Sequence, residues 1–309
     1  MFNREPRSIA TAMAVCLLAG CGGGDSGGSG RVTVNLTDAP VDAAQEIWVK
    51  VTGVAFKPTG SAPEVVQNFS PRTLNLLQYQ QGDVAVLLDD VPFAAGSYQW
   101  LRLIIESEPN VRDSYVMVAG AECELRVPSG AESGLKMNRG FSIPADGSLA
   151  LTIDFDLRQS LHAPPGQSSG TTGACTQGYL LRPTLRLVDN ANVGAITGTV
   201  SFEAGTPPEN CMPKVYLFTG VAVPDDIEES ATTPDVDPLV IVGVSLPDGA
   251  VSGTYRAAFI PAGNYTAAFT CSDDTDADES LDFSPASGTA VTVQNNLIST
   301  LDFVVPAGG

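Results

Sequence analysis

The sequence predicts an all-β protein: two β-sandwich domains in tandem, residues 31–190 and 194–309, behind a short export segment and a flexible tether. Three observations point there. Gly (31) and Pro (22) make up about a sixth of the 309 residues, a share that suits short strands and tight turns better than long helices. Apolar residues alternate with polar ones, as where Thr33 and Asn35 separate Val32, Val34 and Leu36, and that is the period of a half-buried strand. The second half alone holds about seven short apolar runs in roughly 115 residues, the arithmetic of a small sandwich.

Composition also bounds function. Lys and Arg total 16 against 35 Asp and Glu, a formal charge of −19. Nucleic acids and anionic membrane surfaces are recognised through basic patches that displace counterions, so no nucleic-acid partner is expected. Hydrophobic residues at 43% and charged residues at 17% leave enough apolar surface for real cores, which excludes wholesale disorder. A single histidine, His162, leaves most His-based catalysis and metal chemistry without its residue.

Residues 1–20 read as a signal peptide. Arg4 and Arg7 form a positive start and Ile9 to Leu18 a short apolar run, far below the roughly 18–20 residues that span a bilayer. The run ends in Leu18-Ala19-Gly20-Cys21, which resembles a bacterial lipobox. That resemblance implies acylation of Cys21, with the membrane as partner through the acyl anchor. Gly22 follows in place of Asp, which is similar to the default for outer-membrane sorting in Gram-negative lipoproteins. The expected location is the bacterial cell envelope, at the outer membrane and lipid-anchored. Residues 21–30 read as the lipidated Cys and a Gly/Ser tether with an r.m.s. reach of roughly 16–18 Å. Inside it, Gly24-Asp25-Ser26-Gly27-Gly28 matches the surroundings of the serine in trypsin-like proteases. Such a serine needs a rigid turn and a histidine beside it, and a glycine coil supplies neither.

In the first domain, strands are expected around Val32–Leu36 and Ile47–Val51, then at 98–106, 114–118, 122–127, 148–157 and 179–188. Turn signals such as Lys57-Pro58-Thr59-Gly60 and Ala145-Asp146-Gly147 separate them. Residues 73–88 are ambiguous, with a short helix around Leu74, Leu76 and Leu77. In the second domain the runs are 195–202, 214–219, 239–245, 253–259, 264–270, 289–293 and 298–304. Two echoes link the halves. Phe93-Ala94-Ala95-Gly96-Ser97-Tyr98 is similar to Ile260-Pro261-Ala262-Gly263-Asn264-Tyr265, and Leu151-Thr152-Ile153-Asp154-Phe155 to Ile298-Ser299-Thr300-Leu301-Asp302-Phe303. They read as one turn-into-strand device used twice.

Without Cys16 in the signal and Cys21 at the anchor, Cys123, Cys175, Cys211 and Cys271 remain. In an exported protein four such cysteines suggest two disulfides. Three connectivities are open, and a boundary near 189–195 favours 123–175 with 211–271, one pair on each side. No C-x-x-C occurs, so thioredoxin-like redox work and zinc ribbons lack their spacing. Residues 31–190 carry 12 basic and 17 acidic side chains, a net of −5, whereas 195–309 carry 2 and 16, a net of −14. The acidic character belongs to the second half.

Several motifs in order carry a family resemblance. Val32-Thr33-Val34-Asn35-Leu36-Thr37-Asp38-Ala39-Pro40, Ile47-Trp48-Val49-Lys50-Val51-Thr52-Gly53-Val54, Val127-Pro128-Ser129-Gly130-Ala131 with Ser133-Gly134-Leu135-Lys136, and Ile153-Asp154-Phe155-Asp156-Leu157-Arg158 resemble the domain-of-unknown-function 4382 family over roughly residues 30–190. The resemblance implies an exported prokaryotic domain, often found on lipoproteins, and brings no activity with it. Gly194-Ala195-Ile196-Thr197-Gly198-Thr199-Val200 and Pro261-Ala262-Gly263-Asn264-Tyr265 resemble a carboxypeptidase-regulatory-like, prealbumin-type sandwich. Such modules are filed with carbohydrate-binding-like folds, which is a fold analogy only.

Four clusters are candidates for chemistry. Asp273, Asp274, Asp276, Asp278 and Glu279, with Asp282 beyond them, place alternate carboxylates as a hard cation such as calcium requires. Counted from Asp274, the sixth position is Glu279 and the twelfth Pro285, so this is no EF-hand, and a solvated acidic loop is the plainer reading. Asp225-Asp226-Ile227-Glu228-Glu229 with Asp235 and Asp237 reads as a connection. Asp154, Asp156 and Arg158 fall on one strand face, where two carboxylates could serve a glycosidase; a solvated face with a local ion pair is the plainer reading. Trp48 and Trp100 could stack on a sugar, though packing explains them as well.

The expected function is therefore a lipid-anchored envelope protein, not an enzyme, with a structural, adhesive or ligand-binding role. The alternative is a module that binds carbohydrate or a cell surface, using a calcium-ordered acidic loop and a glycan or protein ligand.

Overall fold

Alternation in sequence becomes alternation in burial. A computed structural model describes residues 28–38, 44–108, 111–128, 134–164, 175, 177–182, 184–203, 205, 207–226, 236–272 and 281–306. The N-terminal half runs β1 (Ser29–Asp38), β2 (Glu46–Pro58), β3 (Val65–Asn75), β4 (Ala85–Ala94), β5 (Gly96–Glu106), β6 (Tyr115–Val118) and β7 (Ala121–Arg126). It continues through β8 (Leu135–Met137), β9 (Phe141–Ile143), β10 (Ser148–Asp156), the one-turn helix α1 (Leu157–Ser160), β11 (Leu161–His162), β12 (Tyr179–Leu181) and β13 (Thr184–Asp189). The C-terminal half holds β14 (Val193–Phe202), β15 (Lys214–Thr219), β16 (Val240–Gly243), β17 (Ser252–Pro261), β18 (Gly263–Thr270), β19 (Phe283–Val293), β20 (Ile298–Thr300) and β21 (Phe303–Val305). The protein is all-β, and no helix among the described residues is long and apolar enough to cross a membrane.

Each half is a sandwich of two sheets. In the first, β13-β10-β1-β4 faces a nine-stranded sheet ordered β11-β12-β7-β6-β2-β5-β8, with β3 added to β2 and β9 to β5. In the second, β17-β14-β20, with β21 also on β14, faces β16-β15-β18-β19. Val32, Val34 and Leu36 of β1 and Ile153 and Phe155 of β10 meet Val49, Val51 and Phe56 of β2 in a core with no exposure. A second core forms around Ile196, Val200, Leu217, Tyr255, Ile260 and Phe269. The run Lys214–Phe218 is buried throughout, because Tyr216 and Phe218 on the far side of their sheet pack against Phe283 and Ala222.

The two echoes occupy equivalent places. In both halves the opening strand lies between an antiparallel neighbour (β4, β17) and a parallel one (β10, then β20 and β21). The antiparallel neighbour turns through the Gly-x-Tyr signal into the next strand of the opposite sheet. There Tyr98 donates to the carbonyl of Ala94 at 2.8 Å, and Tyr265 to that of Pro261 at 2.7 Å. The glycines of the Gly194–Val200 motif have a steric origin: a Cβ at Gly194 would stand 2.3 Å from the Gln294 carbonyl oxygen, and one at Gly198 1.7 Å from that of Leu301. Chain crosses over β14 too closely there for any side chain.

Several expectations need correction. Ser29 and Gly30, assigned to the tether, already pair with Ala94 and Phe93, since ladder bonds use backbone alone and need no side-chain pattern. The run 179–188 splits into β12 and β13, which join different sheets, and Pro183 between them lacks the N–H to continue a ladder. The run 298–304 divides at Leu301 and Asp302, where Asp302 accepts the Thr199 N–H at 2.7 Å. Residues 73–88 contain the end of β3, a 3-10 turn at Leu76–Gln78 and the start of β4. At the boundary between the halves, Asp189 caps a 3-10 turn over Asn190–Asn192, which leads directly into β14. Gln81 also reaches across, donating to the Gly243 carbonyl at 3.2 Å and the Ser245 hydroxyl at 3.0 Å.

Ile153 is fully buried and Ile298 is 61% exposed. Ile153→Ala should lower unfolding free energy in urea by about 3 kcal/mol, and Ile298→Ala by no more than about 0.5 kcal/mol.

Candidate functional site

Where β10 ends, the two halves enclose a cleft of about 340 Å³. One wall is Asp154, Phe155 and Asp156 of β10, Gln159 of α1, and Thr184, Leu185 and Arg186 of β13; the other is Thr219 at the end of β15 and the segment Asp237–Val240 that enters β16. β10 and β13 are antiparallel, with Asp154 opposite Arg186 and Asp156 opposite Thr184. Cross-strand register therefore makes the ion pair. Arg186 donates through Nε to Asp154 Oδ2 at 3.1 Å and again through Nη2 to the same oxygen. The two side chains keep only 14% (Asp154) and 24% (Arg186) of their exposure. Asp156 is held locally: its Oδ1 accepts the Gln159 N–H at 3.2 Å, an N-cap for α1. Ser160 closes the turn by accepting the Thr184 N–H at 2.8 Å.

Burial pushes both carboxyls up from the ordinary aspartate value, Asp154 in spite of the Arg186 guanidinium and Asp156 in spite of the Gln159 N–H. The neighbouring Asp154 raises Asp156 further. Three carboxylates face one guanidinium in the cleft, between apolar walls of Phe155, Leu185, Pro238, Leu239 and Val240. This arrangement favours a cationic or donor-rich guest.

The expectation of a solvated strand face is corrected for Asp154 and Asp156, which line the cleft between the halves with Asp154 paired to Arg186; Arg158 falls on α1 and not on the strand. No sequence pattern pairs residues 219 and 237–240 with that strand, so half of this cleft was invisible beforehand. Cys123 is bonded to Cys175 and Cys211 to Cys271, the favoured pairing. Their sequence separations of 52 and 60 residues correspond to about 4 kcal/mol of stabilisation each by the chain-entropy account.

Cys21 lies outside the described residues, as do Asp273, Asp274, Asp276, Asp278 and Glu279 of the acidic loop. Asp282, which is described, is exposed one residue before β19. Among the described residues no group of three or more His, Cys, Asp or Glu side chains is placed to hold a metal ion. His162, in β11, pairs with Leu180 of β12. Both tryptophans sit on the outward face of the nine-stranded sheet, Trp100 beneath the Lys136 ammonium at 4.6 Å and Trp48 stacked with Tyr115.

A family model described as a domain of unknown function (DUF4382) matches residues 29–183. Comparison with curated proteins returns no match. Among solved structures, the chain is similar to the Bacillus anthracis TIE protein (9% identity, 90% of this chain and 34% of that one, TM-score 0.20). It is also similar to GBS52, the minor pilin of Streptococcus agalactiae (9%, 90% and 96%, TM-score 0.21), and to the major pilin of Streptococcus pyogenes (11%, 90% and 98%, TM-score 0.19). The chain spans about a third of the Bacillus anthracis protein. At such TM-scores these likenesses carry no argument about this chain.

The raised carboxyls have a definite sign. A carboxyl whose folded pKa exceeds its unfolded one stabilises the fold most when protonated, and that contribution is lost as pH rises through the folded value. Asp156→Asn keeps the capping oxygen and stays uncharged. Urea unfolding should therefore find it at least as stable as wild type at pH 7, with the advantage shrinking as pH falls toward 4. A variant less stable at pH 7 would show that the charged form is the favoured one.

Proposed function

We propose that this chain, which belongs to the DUF4382 family through residues 29–183, is a lipid-anchored protein of the bacterial cell envelope that binds a small cationic ligand and does not transform it. The cleft between the halves carries the reading. Its acidic lining is built into the fold through the Arg186 pair and the α1 cap, so it is pre-formed. Gln81 and the capped turn at Asn190–Asn192 hold the halves together, which keeps both walls in place before a ligand arrives. The lipobox-like Leu18-Ala19-Gly20-Cys21 supports the anchor. Acylation there would leave the folded body free on a short glycine tether.

Two measurements test this. Fractionation of cells should place the full chain with membranes and release Cys21→Ser to the soluble fraction; membrane retention of the variant removes the anchor. Thermal unfolding in millimolar aliphatic diamine should raise the midpoint, because a ligand of the native state stabilises it by RT ln(1 + [L]/Kd). For a micromolar site the gain is about 4 kcal/mol, and Asp237→Asn should cut it. No shift with any small amine would remove the cleft as a binding site.

A further inference from the structure

We propose that the outward face of β2, β6 and β7 is a second binding site, for a glycan of pyranose units whose hydroxyls are equatorial, with Trp48 and Tyr115 as its stacking surface. Strand register builds it. Trp48 stands opposite Tyr115, and Tyr115 opposite Glu124; one step along, Glu46 faces Met117, which faces Glu122. Their neighbours Ile47, Val49, Val116 and Cys123 are buried in the core, so alternation turns Glu46, Trp48, Tyr115 and Glu124 to the outside. The site lies on the nine-stranded sheet, whereas the cleft is lined by β10 and β13 of the other sheet, and it does not depend on the cleft reading.

Ring geometry selects the ligand. The Trp48 and Tyr115 rings have centroids 5.9 Å apart and planes within 21°. The two rings stack on each other in near-parallel planes and so offer flat aromatic faces, whereas cages for quaternary ammonium groups surround the cation with several ring faces. A pyranose with equatorial hydroxyls offers such a flat face of axial C–H groups, and its hydroxyls point outward from the ring edge. A carboxylate sits at that edge. Glu46 Oε2 accepts the Trp48 Nε1–H at 2.7 Å, which fixes the indole and places an acceptor beside the ring instead of over it. Burial, then the charges of Glu122 and Glu46, push the Tyr115 phenol up, so it remains a hydroxyl donor at neutral pH.

The other tryptophan shows what a closed platform looks like. Lys136 places its ammonium 4.6 Å from the Trp100 ring centroid. Lys50, two residues beyond Trp48 on the same face, is drawn away by Glu106 at 2.5 Å and Asp113 at 2.9 Å. Among the described residues no cation lies over Trp48. A search for a stacking residue by type alone would rank the two equally; their neighbours separate them.

The test uses the full chain, extracted in a detergent without a sugar headgroup, and calorimetric titration with cellohexaose and with chitohexaose. Binding of either supports the proposal, and the pair distinguishes an unsubstituted glucan from an N-acetylated one. Trp48→Ala should weaken the interaction about tenfold or more, Trp48→Phe less, and Trp100→Ala should leave it unchanged. Unchanged thermal midpoints keep the comparison free of folding defects, and Trp48→Phe serves if the alanine variant does not fold. Binding of neither oligosaccharide, equal losses at Trp48 and Trp100, or binding of oligolysine in their place would overturn it.

Discussion

The fold depends on one pairing, the parallel ladder between the opening strand of each half and a strand near its end. Arg31 to Asp38 run alongside Ser148 to Phe155, joining the beginning of the half to its close. A parallel pair cannot be made by a hairpin; it needs a crossover, and here the crossover runs from β2 to β9 and holds most of the opposing sheet. That constraint makes β1 and β10 central and buried, and it explains why their inward residues keep little or no exposure. β14 repeats the arrangement with β20 and β21. The ordering entropy of so long a closure is offset only once both sheets meet, which makes each half a cooperative unit.

The same ladder positions the charged cleft. Because β10 is paired on its other side with β13, Asp154 meets Arg186 across the strands, and the C-terminal half then covers both. Burying an ion pair costs desolvation that the pair's own attraction repays only with good geometry. Two donors meet one carboxylate oxygen, but Arg186 Nη1 is buried without a hydrogen-bond partner among the described residues, and burial dominates the titration of the acid. Hydrophobic residues of equal volume would stabilise this junction as well or better. A charged lining is therefore better explained by what enters the cleft than by what holds it together.

Legibility followed the physics of each signal. Strands with one dry and one wet face were readable to within two residues, as for β5, β7 and β10, because burial on a single face imposes the period of two. β3 was not readable: most of it is exposed, so nothing imposes a pattern. β4 was hidden for a different reason. Asp90 adopts a left-handed conformation at φ 50° and the β1–β4 register slips nearby, which breaks alternation from within. Cysteine pairing was legible because each pair stays inside one half. The cleft was legible on one wall only, since what joins Asp154 to Asp237 is tertiary and leaves no trace in spacing.

Placed on the structure, the motifs that carry the family resemblance divide cleanly. Val32, Val34, Leu36, Ile47, Val49, Val51, Ile153, Phe155 and Leu157 are all core, and their spacing follows from sheet geometry alone. The Gly-x-Tyr signals likewise serve the chain, through a tyrosine hydroxyl bonded to a carbonyl four residues back. Those residues would be required of any sandwich with this topology, whatever it binds. What architecture does not account for is the remainder of the same motifs: Trp48 between two core residues, and Asp154 and Asp156 flanking a third. Trp48 faces outward beside Tyr115 and Glu46, and the two aspartates face the cleft. Subtracting the residues that the fold needs leaves two surfaces on opposite sheets of one domain, and function belongs with what the subtraction leaves.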